Sequence, residues 1–435
     1  MFFFVWASKS APFHSFFLIL HLMTNYQTAV LGNGLRIIAL PSASPVVYCG
    51  YQVNAGSASE QPGEEGMAHF CEHVTFKGTV RRSALDVINC LEEVGGDLNA
   101  FTTKTDTVYY ASILKDHVGR AVDLLTDIVF HSVYPQKEID KEVEVICDEI
   151  ESYNDSPAEL IYDDFENLVF RGHPLGHNIL GTADRVRTFT TADALRFTHR
   201  HYRPENTVFF VYGDIDFGAL LRLLARENGT NVTGADGSGS VKEAGLPDLN
   251  VYHPQTVRIG RHTHQAHVMT GNRAYCVHDR RRMALYLLNN ILGGPGMSAR
   301  LNLALRERRG LVYTVESTMV NYSTTGVWSI YFGCDAGDVD ECMRLVRTEL
   351  DRFMSVPLTD DELTVARQQI KGQVGIACDN RENLALDFGK GFLHYGWKKD
   401  IMALFRDIDA VTADEVQAVA RELFPQDRLT TLVYE

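Results

Sequence analysis

Apolar residues recur with period two over some stretches of the chain and with a period near 3.6 over others, so strands and helices can be separated by pattern. Residues 28–40 (TAVLGNGLRIIAL) predict two short strands around an Asn-Gly turn, and residues 46–55 predict a third strand. A loop rich in Gly, Ser, Pro and Glu covers 56–66. Helical spacing follows at 67–76 and 84–94, then a strand at 106–114 (DTVYYASIL). Helices are predicted at 117–130, 136–153, 157–170 and 191–202, and a short apolar strand at 206–212 (NTVFFVY).

The pattern then lapses. Residues 228–245 (NGTNVTGADGSGSVKEAG) hold few apolar side chains and many Gly, Ser, Thr and Asn, which predicts a linker. Beyond it come a strand at 266–270, a helix at 282–292 and two strands within 314–334. Helices at 339–353, 360–377 and 381–394 and a strand at 428–434 complete the series. Gly95-Gly96 and Arg309-Gly310 each precede a Thr/Tyr-rich strand about 214 residues apart, a loose internal repeat. Neither half alternates strictly between strand and helix. The predicted class is therefore α+β, with two similar domains at 24–227 and 246–435, each a mostly antiparallel sheet packed with helices.

Residues 1–23 stand apart. Two apolar clusters read either as the core of a signal peptide or as a leader upstream of a true start at Met23. Lys9 is their only charged residue and no small-residue cleavage site follows, so a cytoplasmic location is expected, with export as the alternative. No stretch of about 18 uninterrupted apolar residues exists, and no membrane association is expected.

Composition narrows the chemistry. Lys and Arg number 41 against 56 Asp and Glu, a net charge of −15, which disfavours a nucleic-acid partner. The eight cysteines are scattered without a CxxC pair, as free thiols in a reducing compartment would be. No G-x-S-x-G elbow is present, and the glycines at 293–296 lack the G-K-[ST] of a phosphate loop.

One segment carries distinctive chemistry. In His69-Phe70-Cys71-Glu72-His73 the two histidines lie four apart, on one face of a helix, where they can share one Zn²⁺. Glu72 stands beside them, placed to take a proton from a water. Alone, the pattern also fits a helix with two surface histidines. Three histidines at 262, 264 and 267 form a second candidate, but a strand would turn His267 away from the other two.

The flanks add to this. Residues 66–79 (GMAHFCEHVTFKGT) resemble the H-x-x-E-H segment of the pitrilysin/insulinase family of zinc peptidases, in the branch that includes the mitochondrial processing peptidases and their bacterial relatives. The resemblance extends over most of the chain, from about Thr28 to Tyr434. It implies one Zn²⁺ per chain held by His69, His73 and Glu149, which lies 76 residues beyond His73, with Glu72 as general base. Glu142, two helical turns before Glu149, would orient a ligand. Residues 95–109 (GGDLNAFTTKTDTVY) match the segment whose exposed strand pairs with the substrate backbone, here at Asn99, Ala100 and Phe101. Residues 292–313 (LGGPGMSARLNLALRERRGLVY) match the segment whose arginine and tyrosine, here Arg306 and Tyr313, serve the scissile carbonyl.

The resemblance thus implies a zinc endopeptidase acting on peptides, and a homodimer, since two domains enclose a chamber only with a second chain. The alternatives are a non-catalytic scaffold and a subunit dependent on a different partner. Cys71, inside the motif, is expected to make activity sensitive to alkylation.

Overall fold

The computed structural model describes residues 25–234, 247–261 and 263–435. The apolar head, residues 235–246 and His262 lie outside the described residues. The first half builds a seven-stranded sheet in the order β4-β5-β3-β6-β2-β1-β7. Its strands are β1 (Gln27–Leu31), β2 (Arg36–Pro41), β3 (Val46–Val53), β4 (Asp97–Thr102), β5 (Thr107–Leu114), β6 (Thr207–Gly213) and β7 (Val232–Gly234). All neighbours are antiparallel except β2 and β6. β7 falls in the stretch expected as linker and adds a short outer strand beside β1. The helices of this half are α1 (Met67–Thr75), α2 (Ala84–Glu92), α3 (Val118–His131), α4 (Gln136–Asn154), α5 (Pro157–Val169), α6 (Ala183–Val186), α7 (Thr191–His201) and α8 (Phe217–Glu227).

The second half repeats this plan. Its sheet runs β10-β11-β9-β12-β8, from β8 (Thr256–Ile259), β9 (Ala266–Ala274), β10 (Val312–Asn321), β11 (Gly326–Cys334) and β12 (Thr430–Tyr434). Again one pair, β8 and β12, is parallel. The helices are α9 (Arg281–Gly293), α10 (Val339–Ser355), α11 (Asp360–Ala377), α12 (Arg381–Tyr395), α13 (Ile401–Ala410) and α14 (Ala413–Leu423). Four helix starts are fixed by reciprocal caps, Ser83 with Asp86, Thr190 with Asp193, Thr359 with Glu362 and Thr412 with Glu415. α6, α8, α13, α14 and β8 were not among the expected elements.

Each sheet is apolar on both faces, as the fully buried β6 and β11 show. Each half's remaining helices cover only one face. The other is covered by a helix from the opposite half. α12 lays Leu384, Phe388 and Phe392 on Ile38, Val208 and Phe210 of the first sheet. α5 lays Ile161, Phe165 and Val169 on Met269, Tyr331 and Leu432 of the second. The exchange is closed by polar contacts that pin helix backbone to sheet side chains. Buried Arg36 donates to the carbonyls of Phe392 and Leu393 at 2.8 Å each, and Gln52 donates to Leu386 O at 3.0 Å. Gly389 permits the close approach, since a Cβ there would meet Gln52 Oε1 at 2.5 Å.

Asp106, in the turn between β4 and β5, is almost completely buried and faces Lys390 Nζ at 3.1 Å and His394 Nε2 at 3.3 Å on α12. Burial alone would raise its pKa, but Lys390, His394 and the Thr103 hydroxyl outweigh burial and hold the carboxyl well below the usual carboxylate range. A depressed folded-state pKa stabilises fully above the unfolded value, about 3.9, and progressively less as the pH falls below it. Asp106→Asn is therefore expected to cost about 1.5–3 kcal/mol at neutral pH. The gap from wild type should close as the pH drops through about 4 and below, as read from urea midpoints across that range.

Candidate metal and catalytic site

The site is assembled on α1, one of the shorter helices, and its start is fixed from outside. Gly66, at the N-cap, has φ of 94°, and a Cβ there would meet Leu180 O at 2.7 Å, so only glycine fits against that loop. The buried Glu60 carboxylate supplies the missing cap. It accepts from Gly66 N at 3.0 Å and Ala68 N at 2.8 Å, and His177 Nε2 lies 2.8 Å from it. Neither Glu60 nor His177 was singled out by the sequence. An acidic residue six positions before the N-cap is not a recognised cap spacing.

His69 and His73 project from one face of α1, ring centroids 4.7 Å apart. α4 crosses that face and brings Glu149 to them, with Oε2 at 3.1 Å from His73 Nε2 and Oε1 at 3.7 Å from His69 Nε2. One ligand atom from each of the three lies within 4.8 Å of the others, the one such group of metal-binding side chains among the described residues. Glu142, one of the buried residues of α4, holds the far side of His73, Oε1 to Nδ1 at 3.0 Å, and Lys77 Nζ is 2.6 Å from its other oxygen. That contact gives Nδ1 an acceptor for its proton, so Nε2, the nitrogen that faces Glu149, is the one that would turn a lone pair to a cation held between them.

The electrostatics suit a cation. Hydrogen bonds from His69 and His73 hold the Glu149 carboxyl well below the usual range, against burial. Burial works to lower the His73 pKa, but Glu142 and Glu149 raise it to about 9. Two imidazoles and two carboxylates converge here, and neutral imidazole with carboxylate is a Zn²⁺ donor set. The residues present thus fit the ion.

Glu72 lies beside the cluster with its pKa raised by burial, a pull that the Thr102 hydroxyl bond and the neighbouring histidines only partly offset. Thr102 Oγ1 donates to Glu72 Oε2 at 2.6 Å. β4 is the outermost strand of its sheet, so among the described residues one side of its backbone has no partner strand. Asn99 and Ala100 of β4 line a cavity of about 440 Å³ together with Glu72, His73 and Glu142. Phe101 faces elsewhere, packing edge-on to Tyr110 at 6.2 Å.

Arg306 and Tyr313 come together, at a cavity other than the one beside the cluster. Arg306, in the π-helical turn Asn302–Glu307, lies 5.8 Å from the Tyr313 ring, and Tyr313 is 80% exposed. They line a separate cavity of about 690 Å³ along β10, and no residue lines both cavities. Of the other histidine group, His267 is bonded to Tyr331 Oη at 2.9 Å.

Cys71 corrects an expectation. It is fully buried on the core face of α1, its sulfur directed at Ala194 O, and burial pushes its pKa well above the usual thiol range. Two positions from each histidine on a helix, it points away from them.

Residues 37–183 match the family model described as insulinase (peptidase family M16), and residues 188–370 match that described as peptidase M16 inactive domain. A Streptomyces coelicolor protein named as an uncharacterized zinc protease is 34% identical over 93% of this chain and 88% of its own length. A Bacillus subtilis protein with the same kind of name is 31% identical over 92% of this chain and 96% of its own. The fold is also that of a Helicobacter pylori protease structure, with a TM-score of 0.86 at 19% identity, covering 95% of this chain and 100% of that one.

The burial of Cys71 has a direct readout. In the native protein, iodoacetamide is expected to label the half-buried Cys90 and Cys276 well before Cys71, which should react only on denaturation, as followed by mass spectrometry.

Proposed function

Because the chain belongs to the insulinase family of peptidases, family M16, we propose that it is a zinc endopeptidase that cleaves extended peptides. The observation that carries this reading is the convergence of His69, His73 and Glu149 beside Glu72 and an unpaired strand edge. His69, His73 and Glu149 would hold the metal, and Glu142 would keep His73 in the ligating tautomer. A bound Zn²⁺ supplies Lewis-acid polarisation and acidifies a water to near neutral pKa.

This chain's residues do the rest. The peptide adds as a strand along β4 at Asn99–Phe101, held by main-chain hydrogen bonds that accept any extended sequence. Glu72 takes a proton from the attacking water and returns it to the leaving amine. Its raised pKa brings acceptance and release closer in energy. Arg306 and Tyr313 are the cationic and phenolic donors suited to the developing oxyanion. In one chain they line a different cavity from the metal cluster, which favours a site completed by a second copy. One chain carries both parts, so a homodimer suffices. The eight cysteines are unpaired, as fits a reducing compartment.

The second half lacks a matching ligand set among its described residues. One ion per chain is the stoichiometry that follows.

Glu72→Gln is expected to keep about one zinc per chain and to lose hydrolysis of a quenched-fluorescent peptide by at least about 10²-fold, the scale of a general base. A chelator should abolish wild-type activity, and added zinc should restore it. Near-normal turnover by Glu72→Gln would overturn the mechanism. In analytical ultracentrifugation the activity should travel with a dimer. An active monomer would refute the shared site, and activity only with another chain would make the partner a different protein.

A further inference from the structure

We infer that Thr102 is a positioning residue for the general base, its hydroxyl fixing one carboxylate oxygen of Glu72 so that the other faces the reacting water. The inference rests on the reading of Glu72 as base. Thr102 is the last residue of β4, paired with Thr107 across the hairpin. Two hydroxyls meet there, and their protons can be assigned. Thr107 Oγ1 donates to Ala55 O at 2.9 Å. Thr102 Oγ1 lies 3.4 Å from Thr107 Oγ1 but only 2.6 Å from Glu72 Oε2. A hydroxyl has one proton to give and an ionised carboxylate can only accept, so the Thr102 proton goes to Glu72. A charge-assisted O–H···O⁻ bond of this length belongs to the stronger class.

Thr102 can hold an orientation because its own position is firmly held. A β-branched side chain on a strand has restricted χ1. The turn that follows is anchored in two directions, by Asp106 on Lys390 and His394 and by Lys104 Nζ on His177 O at 2.5 Å. Glu72, by contrast, sits on the nine-residue α1 with three side-chain torsions. Oε2 is occupied by Thr102, which leaves Oε1 as the oxygen to meet the water. The strand that would receive the peptide thus also aims the base, and a misplaced base costs rate in the chemical step and not in binding.

Thr102→Val removes the hydroxyl while keeping shape and strand propensity, and Thr102→Ser keeps the hydroxyl. In the full-length zinc-loaded protein, with a quenched-fluorescent peptide, Thr102→Val should lower kcat about 10–100-fold, as removal of an orienting partner does. KM and zinc content should stay at wild-type values, and Thr102→Ser should recover most of kcat. If Thr102→Val does not fold, as judged by circular dichroism, Thr102→Ala against Thr102→Ser makes the same comparison. Unchanged kcat in the hydroxyl-free variant overturns the inference. So does a loss confined to KM, which would place Thr102 in peptide pairing, or an equal loss in Thr102→Ser. Glu72→Gln is measured in parallel. If it is inactive while Thr102→Val is fully active, the inference about Thr102 fails and the base stands. If Glu72→Gln turns over normally, the base assignment fails first.

Discussion

Two sheets, each apolar on both faces, cannot both be buried by the helices that lie beside them in sequence. The exchange of α5 and α12 resolves this, and the remaining architecture follows from it. A domain that lends its covering helix to its neighbour is not free to open like a hinge. Separation would expose Phe388 and Phe392 on one side and Phe165 and Val169 on the other. It would also take from buried Arg36 and Gln52 their partners on α12 and from Asp106 both of its cations, which is costly for groups of that polarity. The two halves therefore behave as one body, although each repeats the same strand order.

The candidate site inherits that rigidity. The β4–β5 turn is where the exchange touches the chemistry. Its Asp106 is tied to α12, its Lys104 to the loop that also sends His177 to the cap of α1. The candidate metal ligands, Glu72 and the open edge of β4 thus hang on elements held from both halves, although all their side chains come from the first. Precision in such a site comes from the shell that supports it, and here part of that shell is built by the other half of the chain.

Much of this was legible in the sequence, for reasons that can be stated. His69, Glu72 and His73 declare themselves because helical period places them together. Glu149 does not; its distance along the chain acquires meaning only through the family register. Cys71 was open to a better reading, since the same helical period that groups the histidines turns the residue between them toward the core. The helix exchange was hidden because periodicity shows that a helix has an apolar face without showing which sheet receives it. For the same reason the pairings of β2 with β6 and of β8 with β12 were invisible, as each joins strands distant in sequence. Thr102 is one of four threonines between residues 102 and 107, chemically alike until the fold gives one of them the carboxylate of Glu72. Glu60 likewise reveals its role only when the loop folds back on the helix start.

The open margin of β4 has a consequence beyond catalysis. A margin filled only by another extended backbone discriminates by conformational state rather than by residue type. A natively folded protein has its strands already partnered and its backbone donors and acceptors satisfied, so it offers nothing to bind. A newly made, unfolding or already fragmented chain offers that pattern along its length. Selection would then be set by whether a chain is folded, before any side chain is read, and the stability of every other protein in the compartment would be its protection.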